Sequence, residues 1–404
     1  MEGRQNQMTQ VYIAEAATIT SLGDDLDTLY QGLVQGKSGL THMSDPGLPG
    51  HLESAPPRFD TSVYTSPWAG LIPNLIPKEL SLNNPAPLIF SLADRLLSKL
   101  GPIDPSTCLI TASTKAGIDL LPTITRNTAL LPKGLLVSSL PGYISQKLGL
   151  ARPGFNISAA CSSSTIALAK GAAMIKSGRE TAVLVCAMDV VSEFIFSGFS
   201  TLGAMSPDPA APFDKNRKGL TLGEGAAAML LMNKKELNTA KKTGKRTHLT
   251  QISGWGVASD ASHLTAPARD GLGLKLAIQE ACQKADISFS DIQAINTHGT
   301  GTRHNDEMEL TVLRDLFNPT IMANSIKGAI GHTLGAAGAI EAALCIKLLE
   351  TRILPGTPGF IEPAPGAQNI ISSRPRPFGK GPVLTMNSGF GGTNAALILS
   401  GVAP

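Results

Sequence analysis

The chain has 404 residues, 42% of them hydrophobic and 16% charged, with a formal net charge of +3. That balance excludes a disordered chain and a clustered basic nucleic-acid binder, and no run of about 18 apolar residues marks a membrane span. The five cysteines, Cys108, Cys161, Cys186, Cys282 and Cys345, are widely spaced, odd in number and without a CxxC pair, which points away from a disulfide framework or a zinc site and towards a reducing, cytoplasmic setting.

The first residues, "MEGRQNQMTQ", are polar and irregular, so residues 1–9 are expected as a disordered leader. The strand "QVYIAEA" and the helix "DDLDTLYQGLVQG" follow. Ser44 to Pro87 is rich in Pro, Gly and Ser and reads as an irregular excursion. Next come the helix "APLIFSLADRLLSKL", the strand "TCLITAS", the helix "SSSTIALAKGAAMIKSG" and the strands "TAVLVCAM", "AAAMLLM" and "LTQISGWGV". The helix "LGLKLAIQEACQKA", the strand "AINTHG" and the helices "DEMELTVLRDLF" and "GAAGAIEAALCIKLLE" complete the alternation. A proline-rich loop, "PGTPGFIEPAPGAQNI", leads to a last strand, "NAALILS". Alternation of this kind specifies an α/β protein with a largely buried sheet.

A weak internal repeat is visible. Small-residue helices follow Cys161 and His332, and a Gly-turn with an apolar strand comes about 60 residues after each. Both helices are apolar all round, which predicts burial. Their Gly and Ala faces predict that they pack on each other between two sheets.

Four stretches carry candidate chemistry. In "SAACSSS", Cys161 stands at the first turn of a helix, where unpaired N–H groups and the positive dipole end favour a thiolate; the bland alternative is a small buried hydrophobe. The other four cysteines sit in apolar strand or helix patterns and read as structural. In "NTHGTGTRHNDEME", His298 lies at a strand's carboxyl end, beside Thr300 and Thr302, while His304 reads as exposed. In "NSIKGAIGHTLGAAG", Lys327 and His332 enter the second small-residue helix. A lysine there needs a buried partner, Glu341 or the helix carrying Glu309. In "NSGFGGTN", Asn387 to Asn394, glycines permit N–H groups to turn towards a ligand. Neither a P-loop nor GxGxxG is present. A cysteine with two histidines suits covalent acyl chemistry, with imidazoles holding an oxyanion or enolate.

These residues resemble the β-ketoacyl-acyl-carrier-protein synthases of the elongating Cys-His-His type. The likeness is carried by "SAACSSS", "PFDKNRKGLTLGEGAAAMLL", "ASDASHLTAP", "NTHGTGTRHNDEME", "SIKGAIGHTLGAAGAIEA" and "GFGGTNAALIL". The resemblance implies a thiolase-type duplicated fold, an α-β-α-β-α five-layer sandwich. Its N-terminal half would be 10–250, with Cys161, and its C-terminal half 251–404, with His298, Lys327 and His332. It implies that Cys161 takes an acyl chain, that His298 and His332 stabilise an enolate, and that Lys327 orients the second histidine with Glu309 in support. Backbone N–H groups of Cys161 and Phe390 would form an oxyanion hole, Phe390 would gate the nucleophile, and Thr300 and Thr302 would bind the pantetheine arm. No metal or bound cofactor is implied, because substrates ride the phosphopantetheine arm of an acyl carrier protein. The partner would be a second copy or a chain-length-factor-like paralogue.

Two departures from the fatty-acid enzymes stand out. Ser388 in "MNSGFGG" replaces a common phenylalanine, which should loosen the wall near the nucleophile. The segment after Met188 carries Phe194, Phe196 and Phe199. Both changes resemble ketosynthases of type II polyketide or polyene pathways, including aryl-polyene clusters. Housekeeping fatty-acid elongation is the alternative. A degradative thiolase would need a second cysteine in the Asn387–Asn394 turn, and an initiating ketosynthase an asparagine in place of His332. A non-catalytic chain-length factor would lack Cys161.

Overall fold

The computed structural model describes residues 9–43, 59–75, 86–123, 134–242 and 250–402. The expected leader lies outside these, apart from Thr9. So does most of the Ser44–Pro87 excursion, whose described part includes a short strand at Trp68–Gly70.

In chain order the main elements are β1 (Val11–Thr20), α1 (Leu26–Val34), α2 (Leu88–Leu97), β2 (Cys108–Ala112), α3 (Ser139–Leu148), β3 (Phe155–Ile157), α4 (Ser163–Lys176), β4 (Ala182–Asp189), α5 (Glu193–Thr201), β5 (Gly225–Asn233) and α6 (Lys234–Lys242). They continue as β6 (Thr250–Ser259), α7 (Leu272–Ala285), β7 (Ala294–Asn296), α8 (Arg303–Leu316), β8 (Met322–Asn324), α9 (Lys327–Ile330), α10 (Ala337–Thr351), β9 (Val383–Gly389) and β10 (Thr393–Gly401).

The ten strands lie in the order β8-β7-β9-β10-β6-β1-β5-β4-β2-β3. The two ends repeat each other. β2 runs parallel to β3 and β4, β4 antiparallel to β5, and β5 antiparallel to β1. β7 runs parallel to β8 and β9, β9 antiparallel to β10, and β10 antiparallel to β6. Each strand of the first five thus has a counterpart five places on. Among the described residues, the strands of the two halves pair through Tyr12 with Gln251 and Ile13 with Thr250. Hydrogen bonding therefore runs through all ten strands, where two separate sheets were expected.

Side-chain alternation makes the layers, because successive strand residues face opposite sides. On β5, Ala227, Met229 and Leu231 face the central core, and Ala226, Ala228 and Leu230 an outer one. On β10, Leu397 and Leu399 point inward, and Ala396 and Ile398 outward. α4 and α10 fill the space between the halves and touch strands of both. α2 and α3 cover the first half, and α7 and α8 the second. This is the five-layer thiolase-type arrangement.

The central pair packs closely because small residues face each other. A Cβ placed on Gly338 of α10 would lie 1.9 Å from Oγ1 of Thr165 on α4. The Ser164 hydroxyl accepts the Ala339 N–H at 2.9 Å, satisfying one of the donors that a helix start leaves unpaired. The sequence patterns found the longer elements but missed the short strands β3 and β8, β9, whose end was read only as a Gly turn, and the helices α3, α5, α6 and α9. Gly338→Ala is expected to destabilise the protein by about 1–3 kcal/mol through overpacking, measured as a lower urea midpoint.

Candidate active site

Cys161 precedes α4 by two residues, one outside the Ser162 cap, so it stands just before the helix rather than in its first turn. Ala160 before it is left-handed (φ 50°). The serines hold this turn. Ser163 Oγ donates to the Ala160 carbonyl and accepts the Ala159 N–H, and Ser162 Oγ reaches the carbonyls of Ala159 and Thr393. The last bond ties the cysteine turn to the Gly-rich hairpin between β9 and β10. There the Phe390 backbone N–H faces the Cys161 sulfur and favours its anion.

Cys161 is buried, and that burial pushes its thiol up to about 12, although Lys327 and the Phe390 N–H pull the other way. The helix position therefore does not make the thiolate the resting form, as expected from the sequence, because desolvation outweighs the nearby positive ends. Cys108, Cys186, Cys282 and Cys345 are also free and buried, in strands and helices away from this turn.

His298 follows β7. Glu309 of α8 accepts the N–H groups of His298 and Gly299 at 2.7 and 2.6 Å. Asp306 accepts those of Thr300 and Gly301. Two buried carboxylates thus shape the turn, and burial, aided by Asp306, pushes Glu309 up to about 8. Glu309 is occupied by this turn and is not the partner of Lys327. That partner is Glu341 of α10, at 2.5 Å. The Lys327 ammonium also donates to the His298 carbonyl at 2.5 Å, so it braces the first histidine and not His332.

Asn387 on β9 completes the network. Its amide donates to Glu341 at 2.7 Å and lies 3.2 Å from His298 Nδ1. A carboxylate accepts only, so Nδ2 faces both partners and His298 Nδ1 is an acceptor. The His298 proton therefore sits on Nε2. His332 follows the same logic. Its Nδ1 accepts the Leu334 N–H at 3.3 Å, which leaves the proton on Nε2. The two rings are 5.1 Å apart and nearly perpendicular. Burial lowers both imidazoles well below their usual range, with the Lys327 charge adding to it. Both are neutral donors near pH 7. One ligand atom from each of Cys161, His298 and His332 lies within 4.8 Å of the other two. A soft metal could use such a donor set, but the hydrogen bonding makes the imidazoles donors towards an oxygen beside the sulfur.

Two cavities meet at Cys161. One, of about 580 Å³, is lined by His298, His332, Thr300, Thr302 and Ser388. The other, of about 780 Å³, is lined by Tyr64, Leu121, Phe194, Ile195 and Leu334. Phe199 and Phe390 line both, with rings 5.6 Å apart. Phe196 turns into the core against Phe59 and Tyr64 and lines neither. The Thr300 and Thr302 hydroxyls lie 2.9 Å apart. The Ser388 Oγ donates to Asn394, which in turn donates to Asp260. His304 is exposed at the start of α8, as its sequence position implied. The sequence reading gave Asn387 no role, since a lone asparagine ahead of a Gly turn carries no signal.

A thiolase-type fold with a cysteine and two donor histidines at one cavity junction defines a class, and the comparisons place the chain within it. Residues 110–237 match the model of the beta-ketoacyl synthase N-terminal domain, and residues 249–360 that of the C-terminal domain. The chain belongs to the β-ketoacyl synthase family. It is 26% identical to the 3-oxoacyl-[acyl-carrier-protein] synthase 2 of Vibrio harveyi, over 98% of this chain and 99% of that one. It is 31% identical to the tetracenomycin polyketide synthase ketoacyl synthase alpha subunit of Streptomyces glaucescens, over 65% of this chain and 63% of that one. That match, like others near 32% identity, spans less than two thirds of the relative. The solved ishigamide ketosynthase/chain length factor superposes with a TM-score of 0.83 at 26% identity, covering 98% of this chain and 100% of its own.

Two outcomes are expected. Lys327→Met strands the Glu341 carboxylate and should cost about 3–5 kcal/mol, whereas adding Glu341→Gln should recover most of it; additive losses in urea melts would contradict the pairing. Because burial lowers both histidines, the neutral forms persist above their depressed pKa values. Their ring nitrogen resonances should show no protonation between pH 8 and pH 6, where an exposed histidine titrates.

Proposed function

We propose that the chain is a β-ketoacyl-acyl-carrier-protein synthase that joins malonyl and acyl units by decarboxylative Claisen condensation. The observation that carries this reading is the pair of neutral imidazoles presenting Nε2–H beside the Cys161 sulfur. Cys161 loses its proton as it attacks an acyl thioester, and the pantetheine thiol leaves carrying a proton. A malonyl thioester then loses CO2. The Nε2–H groups of His298 and His332 hold the enolate oxygen, where preorganised donors act most strongly. The enolate carbon attacks the acyl-Cys161 carbonyl. The N–H groups of Cys161 and Phe390 hold the resulting oxyanion, which collapses to the β-ketoacyl product and free Cys161. Lys327 and Glu309 act by positioning His298.

No bound cofactor enters these steps. The substrates arrive on the phosphopantetheine arm of an acyl carrier protein, which Thr300 and Thr302 meet by hydrogen bonding, and Phe390 with Phe199 separates the two cavities. We assign the reaction to a type II polyketide or polyene pathway of aryl-polyene kind, in the cytoplasm. The partner is a chain-length-factor-like paralogue or a second copy. The polyketide and chain-length-factor relatives support this, as does the apolar cavity lined by Phe194 and Phe199. Fatty-acid chain elongation is the alternative reading. A non-catalytic partner subunit would have no use for Cys161 beside two donor histidines.

An acyl carrier protein thioester should add its acyl mass to the chain, read by intact mass spectrometry, and Cys161→Ala should abolish the adduct. An adduct that survives that substitution would overturn the nucleophile assignment. His298→Ala and His332→Ala should each slow malonyl decarboxylation by about 10²–10³-fold.

A further inference from the structure

The polar cavity leads outward from Cys161 to cationic side chains that the chemistry above leaves unused. Lys218, Arg303 and His304 line it and are exposed. From His298 the chain passes through Thr300 and Thr302 to Arg303, going from buried to exposed. The same six residues therefore span the cavity from its floor to its mouth.

The mouth is held in place. Arg217, whose side chain is only 5% exposed, sits beside Lys218 in sequence. Its guanidinium donates to the carbonyls of Asp214 and Arg303 and pairs with Asp306 and Glu307. One buried cation thus fixes the Lys218 segment against the start of α8.

The charge at the mouth is poorly compensated. Lys218 meets Asp208 at 2.8 Å, but both side chains are more than half exposed, and such pairs contribute little and exchange readily. The side chains of Arg303 and His304 make no hydrogen bond or ion pair among the described residues. Asp260, the carboxylate on the cavity wall, is occupied by the Asn394 amide and the Ala268 N–H. An anion with several acceptor oxygens, entering beside an ammonium and a free guanidinium, fits this mouth.

We propose that Lys218 and Arg303, with His304 beside them, bind the phosphate ester of a pantetheine arm whose thioester reaches Cys161. The proposal rests on the acyl-carrier reading above. Two sources present that phosphate, a carrier protein and coenzyme A. The test compares Cys161 acylation by one acyl group on four donors: pantetheine, phosphopantetheine, coenzyme A and an acyl carrier protein. Rates are read by intact mass for the native chain, Lys218→Ala, Arg303→Ala and the charge-keeping Lys218→Arg. The phosphopantetheine-to-pantetheine rate ratio should fall about tenfold in each alanine variant, and Lys218→Arg should keep most of it. An equal fall with carrier-borne and coenzyme A-borne arms supports a shared phosphate site. A fall with the carrier alone overturns it in favour of a protein-docking patch, and an unchanged ratio overturns it outright. Acylation of Cys161 in the native chain by phosphate-free pantetheine reports the ketosynthase reading separately, so the two fail by different signs.

Discussion

The site depends on one buried ammonium. Lys327 is 1% exposed and opens the short helix α9. Removing a charge from water is expensive, and only a well-placed partner and full hydrogen bonding offset it. Here Glu341 is the partner and the His298 carbonyl takes a second proton of the ammonium. Glu341 then holds Asn387, and Asn387 faces His298 Nδ1. The Asn387 oxygen accepts from Thr165 on α4. One ion pair therefore links α10, α4, β9 and the turn after β7, and it sets which nitrogen of His298 carries the proton.

The same burial sets the protonation states that the chemistry needs. It keeps both imidazoles uncharged, so each offers an N–H instead of a full positive charge that would pair permanently with a carboxylate. It also keeps the Cys161 thiol protonated at rest. Against that burial, Lys327 and the Phe390 N–H are the groups that favour the Cys161 anion. The acidic residues nearest the site are spent on backbone. Glu309 and Asp306 hold four successive amides from His298 to Gly301, and Asp189 holds Thr114 and Gly335. None competes for the space above the sulfur.

The two cavities give the sulfur two different neighbours. Histidines, threonines and Ser388 line one, whereas Phe194, Ile195 and Leu334 stand in the other. Among the described residues, only the Phe199 and Phe390 rings and Leu202, together with Cys161 itself, belong to both. Phe390 stands on the hairpin whose Gly391 and Gly392 adopt positive φ, a conformation open to glycine at little strain. The Ser388–Asn394–Asp260 chain ties that hairpin to the end of the neighbouring strand β6. A phenylalanine at 388 would have no hydroxyl to make this link.

The sequence by itself determined the alternation, the burial of the two small-residue helices and the residues of the centre. Period-two and helical patterns are local, and Cys161, His298, Lys327 and His332 each sit in a stretch whose composition is unusual for its surroundings. Short strands such as β3, β8 and β9 were harder to read because three to seven residues hold few periods. Only the tertiary structure decided that Lys327 pairs with Glu341 and braces His298, that Glu309 is taken up by backbone amides, and that Asn387 orients the imidazole. It also decided that the thiol rests protonated. These outcomes turn on distance and desolvation between residues far apart in the chain, such as His298 and Asn387 or Cys161 and Lys327, and local composition holds no record of either.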